Sequence, residues 1–316
     1  MQNTPLQFPF FSAKDALRDA VRSLARARIE TASLDARLLL QHVLNISHER
    51  LLADEKLALM PFQEADYQEL VKKRCLRRPV AQLIGKREFY GRTFKVTEDT
   101  LDPRPDSETL IEAVLEWVNG HRSRVMGKEK LPMTYDPKPM TILDLGTGTG
   151  CLLLTLLKEY ENAKGVGVDI SEAALNVAQE NAESLDVRER AEFVHSHWDQ
   201  NIEGTFDIIV ANPPYIPTNA IAALAPEVAQ YEPKLALDGG ADGLECYRAI
   251  LPPLPRLLAA GGFAAFEIGQ GQEEDVKELV ASCQLRVAGI KKDLGNISRC
   301  ILVRKSGNNQ QLATSN

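Results

Sequence analysis

From residue 140 onward, short apolar runs alternate with longer stretches in which apolar residues recur at helical spacing. The runs are MTILDL, AKGVGVDI, AEFVHS, FDIIVAN, GGFAAFEIG, LRVAGI and SRCILVRK. Between them, residues 151–160, 171–185, 242–260 and 271–283 predict helices. Such alternation predicts a largely parallel sheet covered on both faces, because parallel strands need crossovers and the crossover helices bury the sheet. LRVAGI and SRCILVRK lie too close together for a helical crossover, so they are expected to pair antiparallel at an edge. The first 84 residues show no convincing strand. SAKD at 12–15 resembles a capping box, Leu17, Val21, Leu24 and Arg28 follow at helical spacing, Leu34, Leu38 and Leu39 continue it before Asn45, and Pro61 opens a further helix. This predicts a small helical bundle over 1–84 and a hairpin and helix linker over 85–118, the hairpin turning at Tyr90-Gly91-Arg92. A polar surface loop is expected over 119–139, the sheet domain over 140–304, and a disordered tail over 305–316.

Composition fits a folded, water-exposed chain. Of 316 residues 44% are hydrophobic and 26% charged, no apolar run reaches membrane-spanning length, and MQNTPLQFPFFS lacks the basic start and apolar stretch of a secretory signal. A cytoplasmic protein without membrane contact is expected. The five cysteines are odd in number, scattered and without a CxxC pair, which argues against a disulfide framework and against a zinc site. The net charge of −7 divides unevenly, +3 over residues 1–84 and −10 over 85–316. A face that grips a phosphate backbone is normally basic, so no direct nucleic acid binding is expected of the larger part.

The chemistry-bearing stretches stand where strands end. DLGTGTG hands the first strand to a helix, and Gly146, Thr147, Gly148, Thr149 and Gly150 form a turn at which a ligand can meet bare backbone. A glycine turn can also serve strand-to-helix packing alone. Asp169 ends the second strand, where an acid can take both hydroxyls of a ribose, or instead cap the helix starting near Ser171. A nicotinamide enzyme would show a similar turn and acid, but GTGTG is not GxGxxG, and such an enzyme gives no reason for FDIIVAN to end in NPPY. The combination points to S-adenosylmethionine, with Trp198 available as a wall for adenine or else an ordinary core aromatic. Methylating an amide or aromatic amine is difficult because the nitrogen lone pair is delocalised. The Asn212 side-chain oxygen and the Pro213 carbonyl can accept both N–H groups of a planar NH2, Pro214 helps to fix the backbone, and Tyr215 can stack on the acceptor. Asn212 thereby faces both acceptor and cofactor. His195 and His197 alternate along one strand without a third ligand, so no metal is expected.

Together these residues resemble the HemK/PrmC protein-glutamine N5-methyltransferases. The resemblance spans about 14–303 and includes RRPVAQLIGKREFYG at 77–91, PRPDSE at 103–108 and PEVAQYEPKLALDGGADGLECYR at 226–248. It implies a class I S-adenosylmethionine-dependent methyltransferase, an α/β Rossmann-like fold with a seven-stranded, mostly parallel sheet and a small N-terminal helical bundle that helps dock the substrate. It further implies that Gly146 to Gly150, Asp169 and Trp198 hold the cofactor. Asn212, Pro213, Pro214 and Tyr215 would clasp the glutamine of the Gly-Gly-Gln motif in peptide chain release factors, with consequences for translation termination. Many relatives place an acid before the aromatic at the adenine edge; here His197 precedes Trp198 and Asp199 follows, so three residues are candidates for that contact. Asp102 stands where an apolar residue is usual. NPPY is shared with adenine N6 amino-methyltransferases acting on nucleic acid, which is the alternative reading, although those enzymes need a basic recognition region. A cofactor-binding module without activity is a third reading, opposed by the intact NPPY. The resemblance leaves the oligomeric state open, with a monomer expected.

Overall fold

The computed structural model describes residues 11–54, 57–126 and 139–306, and the chain divides into two units. The first runs through Lys86 and also takes in Ala225–Tyr231; the second holds the other described residues. Residues 1–10 lie outside the described part, as does 307–316 of the expected tail; Lys305 still belongs to the last strand.

In the first unit β1 (Phe11–Ser12), α1 (Ala13–Arg26), α2 (Ala32–Leu44), α3 (His48–Ala53), β2 (Ala58–Leu59), α4 (Pro61–Cys75) and α5 (Val80–Ile84) follow in order. Ser12 caps α1, its hydroxyl accepting from the Asp15 amide at 3.4 Å. The face that α1 buries is Ala13, Ala16, Ala20 and Leu24, and its small side chains allow close approach to Leu39, Leu40, Tyr67 and Val71 in one core. Arg28 lies beyond the helix in a left-handed conformation, and Leu34 is exposed. The expectation of no strand here needs correction, since β1 and β2 pair antiparallel.

Next in the chain β3 (Lys86–Phe89), which belongs to the second unit from Arg87 on, and β4 (Arg92–Lys95) form the expected hairpin, with Tyr90 at φ 50° and Gly91 at φ 69°, the left-handed pair a two-residue turn requires. A single helical turn at Pro105–Ser107 leads into α6 (Glu108–Met126). The surface loop expected from 119 is therefore helix up to 126. Val114 and Val118 continue the buried face of α6 past the Asn119-Gly120 pair that reads locally as a turn. The rest of that loop, 127–138, is outside the described residues.

The sheet domain continues through β5 (Thr141–Leu145), α7 (Cys151–Glu159), β6 (Lys164–Asp169), α8 (Glu172–Ser184), β7 (Ala191–His195) and β8 (Phe206–Ala211); after α9 (Pro226–Tyr231), which counts with the first unit, it resumes with α10 (Glu245–Ile250), α11 (Leu254–Leu257), β9 (Leu258–Glu267), α12 (Glu273–Ser282), β10 (Leu285–Lys292) and β11 (Ser298–Lys305). The single helix expected over 242–260 is instead two short ones. Pro252, Pro253 and Pro255 lack the N–H groups a continuous helix needs, and Leu258 already begins β9.

Seven strands lie in the order β10-β11-β9-β8-β5-β6-β7. β7, β6, β5, β8 and β9 pair in parallel, whereas β11 runs antiparallel to both β9 and β10, the edge pairing expected. One core joins Ile142, Leu153, Leu110 and Phe263, and another joins Leu143, Ile209, Tyr247 and Val280 on the far side of the sheet. The chain order reverses at β5, flanked by β6 and β8. The carboxyl ends of those strands are where an open α/β sheet forms its binding crevice.

Residues of α9 belong to the first unit through long-range polar contacts. Glu227 Oε1 lies 3.0 Å from both Arg74 Nη1 and Arg77 Nη1, Gln82 Nε2 donates to the Tyr231 carbonyl at 3.0 Å, and the Tyr231 hydroxyl donates to the Leu76 carbonyl at 2.6 Å. Arg74 is in addition buried against Asp35 at 2.6 Å.

Candidate active site

A cavity of about 470 Å³ opens at the carboxyl ends of β5, β6 and β8. Its lining brings together Gly146, Thr147, Gly148, Thr149, Asp169, Trp198, Asn212 and Pro214, which are eight of the positions singled out from the sequence. Gly150, Pro213 and Tyr215 do not line it. His197 does, while Asp199 instead pairs with Arg256 at 2.5 Å.

The glycine turn is shaped by its backbone. Gly146 and Gly148 sit at φ 77° and 54°, and a Cβ on Gly146 would stand 3.5 Å from Cζ3 of Trp198. Gly150 is the N-cap residue of α7, where a Cβ would fall 2.9 Å from Leu154 Cδ1, so its part is packing. Thr147 donates through Oγ1 to Asp144 Oδ2 at 2.7 Å. Asp144 is fully buried, and burial pushes its carboxyl up to about 7 against that hydrogen bond.

Asp169 joins the two loops that frame the cavity. Its Oδ2 accepts from the Gly148 amide and its Oδ1 from the Ser171 amide, each at 2.9 Å, while Ser171 itself caps α8 through the Ala174 amide at 3.2 Å. Asp169 thus braces the helix entry and also lines the cavity. Trp198 has φ 52°, an uncommon left-handed conformation for a bulky residue of the kind that persists where surrounding structure imposes it.

Asn212 follows β8 directly. Its Nδ2 donates to Ser107 Oγ at 3.1 Å, and no donor among the described residues takes its Oδ1. Ser107 comes from PRPDSE, and the neighbouring Glu108 accepts from the Tyr90 amide at 2.8 Å, which ties that segment to the hairpin of EFYG. Tyr215, read from sequence as a stacking platform, turns its hydroxyl to Glu267 Oε1 at 3.1 Å, and burial pushes its phenol well up. Gln272 Nε2 donates to the Tyr215 carbonyl at 2.9 Å, and Gly243, at φ 78°, passes so near that a Cβ there would lie 2.4 Å from the same carbonyl oxygen. The LDGGADG stretch therefore braces the loop after NPPY.

Sequence reasoning missed several supports. Asn181 is buried on α8, accepts from the Lys95 amide at 2.6 Å and donates to the Thr149 carbonyl at 2.9 Å, linking the hairpin to the glycine turn. Glu232 is buried and accepts from Arg104 Nη2 at 2.5 Å and from the Asp102 amide at 3.2 Å. Burial raises the Asp102 carboxyl, with Arg87 and Arg104 opposing. The signal available for Glu267 was a lone acid at the end of an apolar run, and for Ser107 its place in the PRPDSE segment. The cysteines are free thiols, Cys300 fully buried and the other four half-buried. Among the described residues no cluster fit to hold a metal ion occurs, and no helix is long and apolar enough to cross a membrane.

The PrmC N-terminal domain family matches residues 15–85, and the methyltransferase small domain family matches residues 128–231. The catalytic domain of hMettl16, solved in complex with MAT2A 3'UTR hairpin 6, shares the fold with a TM-score of 0.53 at 15% identity, covering 82% of this chain and 87% of that one. The release factor glutamine methyltransferase of Rhodospirillum rubrum is 43% identical over 279 residues, 88% of this chain and 81% of that protein. Its counterpart in Cereibacter sphaeroides is 43% identical over 293 residues, 92% of this chain and 98% of that protein. With likeness of this depth over nearly its whole length, the chain belongs to the release factor glutamine methyltransferase family.

Proposed function

We propose that this chain transfers a methyl group from S-adenosylmethionine to the side-chain amide nitrogen, N5, of the glutamine in the Gly-Gly-Gln motif of peptide chain release factors, and so modulates translation termination. The observation that carries the reading is Asn212 at the wall of the β5, β6 and β8 cavity, its Nδ2 engaged by Ser107 and its Oδ1 left to accept.

The residues present fit the cofactor. The cavity volume lies within the usual range for small-molecule sites of about 300–1,000 Å³. A Cβ on Gly148 would meet nothing within 4 Å, so bare backbone and open space meet there. Gly146, Thr147, Gly148 and Thr149 would cradle the cofactor, Asp169 would accept from its ribose hydroxyls, and Trp198 with His197 would border its adenine. Bound there, S-adenosylmethionine supplies an electrophilic methyl group on a sulfonium centre.

The chain's own work is on the acceptor. A primary amide attacks poorly because its nitrogen lone pair is delocalised, so its approach must be fixed. Asn212 Oδ1 and the Pro213 carbonyl accept the two N–H groups and aim the nitrogen, and the same oxygens favour the partial positive charge that develops there as the new bond forms. Pro213 and Pro214 restrict the backbone that presents the carbonyl. Tyr215 serves by holding the loop through Glu267. The adenine N6 reading shares NPPY. Glutamine is favoured by the family and by PRPDSE, which delivers Ser107 to Asn212. In this reading the protein acts in the cytoplasm as a monomer, without nucleic acid. Incubation with isotopically labelled S-adenosylmethionine, a release factor, and the same factor with the motif glutamine replaced by alanine tests it. Label is expected on the first factor alone, and equal labelling of both would refute the assignment.

A further inference from the structure

Glu267 closes β9, the strand beside β8, and is about 2% exposed. Its Oε1 accepts from the Tyr215 hydroxyl at 3.1 Å. Its Oε2 has no hydrogen-bond partner among the described residues, and the Ser107 hydroxyl holds the carboxyl down against the effect of burial. Ser107 is also the residue that receives Asn212 Nδ2 at 3.1 Å. One buried acid thus stands behind two members of NPPY, and the cavity lining does not include it.

We propose that Glu267 is a positioning residue for the methyl acceptor, fixing through Ser107 which end of the Asn212 amide faces the glutamine. This rests on the reading of Asn212 as the acceptor's clasp. A serine hydroxyl has one hydrogen. An ionised carboxylate only accepts, so the Ser107 hydrogen is drawn toward Glu267 and the oxygen of Ser107 is left to receive an N–H. Only Nδ2 of Asn212 can provide one, and Oδ1 is thereby committed to the acceptor side. Turning the amide over would set Nδ2 against the N–H groups of the incoming glutamine and would require the Ser107 hydrogen to leave a buried carboxylate. Protonation of Glu267 removes the constraint, because a carboxylic acid can donate to Ser107 and let that hydroxyl point either way.

The surroundings single out this carboxyl. Burial pushes it above the ordinary carboxylate range, opposed by the Ser107 and Tyr215 hydroxyls and by Arg299, with Asp106 adding to the rise. Tyr215, Tyr247 on α10, Cys151 on α7 and Cys300 on β11 also feel Glu267, and burial drives all four upward, so none of them ionises on the acid side of neutrality. Arg299 is shared between Asp293 at 2.9 Å and the half-exposed Asp106 at 3.1 Å.

The test is steady-state methylation of an intact release factor from acid to neutral pH, with cofactor binding measured separately by calorimetry. Wild type is expected to lose kcat on an acid limb that lies above the ordinary carboxylate range. Glu267→Gln is expected to lower kcat on the order of 10–10²-fold with cofactor affinity unchanged, and to abolish the limb. Asp106→Asn should leave the limb in place. Should Glu267→Gln fail to fold, Ser107→Ala decides: it keeps the acid, cuts the link and should lower kcat likewise, while Ser107→Thr, which retains a hydroxyl, should recover most of it. Wild-type kcat in Ser107→Ala, or in a folded Glu267→Gln that keeps its acid limb, overturns the assignment alone. Wild-type protein that transfers no methyl group to the factor overturns the underlying reading and this one with it.

Discussion

Asp144, sealed beneath the glycine turn, makes the stability of the sheet domain depend on pH in a direction opposite to that of most carboxylates. Burial, opposed by the Thr147 hydroxyl and the Leu153 amide and assisted by the charge of Asp169, raises its carboxyl to about 7. In an unfolded chain an aspartate titrates near 3.9. The folded protein thus keeps a proton that the unfolded chain releases. The resulting contribution to stability is fully present below about pH 3.9 and is lost as pH rises through about 7. A difference of roughly three units at about 1.36 kcal/mol each makes the change about 4 kcal/mol. Asp144→Asn cannot ionise, and its side-chain oxygen can still accept from Thr147 Oγ1, the 2.7 Å bond of the wild type. Urea unfolding of both proteins at a series of pH values between about 4 and 8 measures the difference. The variant is expected to gain on wild type by about 4 kcal/mol across that window, most of it before pH 7. A stability difference that stays constant from the acid to the alkaline end would refute the reasoning.

Asn212→Ala should leave cofactor affinity nearly intact yet lower turnover on the order of 10²–10⁴-fold, since orientation and charge stabilisation are lost together; single-turnover kinetics on saturating release factor measures it. Asn212→Asp keeps an acceptor oxygen but loses the donor to Ser107, so its rate should fall between wild type and Asn212→Ala, and a rate equal to that of Asn212→Ala would show that the donor matters more than the acceptor. Asp169→Ala should weaken S-adenosylmethionine binding by roughly 1.5–3 kcal/mol in calorimetry, the scale of hydrogen bonds to a charged group. Its melting temperature should fall as well, because the Gly148 and Ser171 amides lose their shared acceptor.

What could be read from the chain alone was whatever local pattern determines. The seven apolar runs became the seven strands, and Tyr90-Gly91 made the hairpin, because alternation and turn chemistry act over a few residues. The glycine turn, Asp169 and Asn212 met at one cavity because the carboxyl ends of parallel strands converge at the point where the chain order reverses. Features set by distant partners were not legible. Nothing near Glu227 in the sequence announces Arg74 and Arg77, so the placement of Ala225–Tyr231 with the helical unit could not be foreseen. Asn119-Gly120 suggested a turn, yet Val114 and Val118 hold α6 on the sheet and the helix runs through it. The partner of the Tyr215 hydroxyl, a glutamate 52 residues further along, could not be foreseen either. Glu267 did leave a trace, an acid closing the apolar GGFAAFE just as Asp169 closes its own strand, and a charged residue in that place is a signal worth reading.

The most direct test of the central claim is to incubate the protein with S-adenosylmethionine and an intact release factor, digest the factor, and sequence the peptide containing Gly-Gly-Gln by tandem mass spectrometry. The account predicts a mass gain of one methyl group, carried by the side-chain nitrogen of that glutamine and absent when Asn212→Ala replaces the wild-type enzyme. A methyl group on any other residue of the factor, or an unmodified glutamine after incubation with a wild-type protein shown to bind the cofactor, would contradict it.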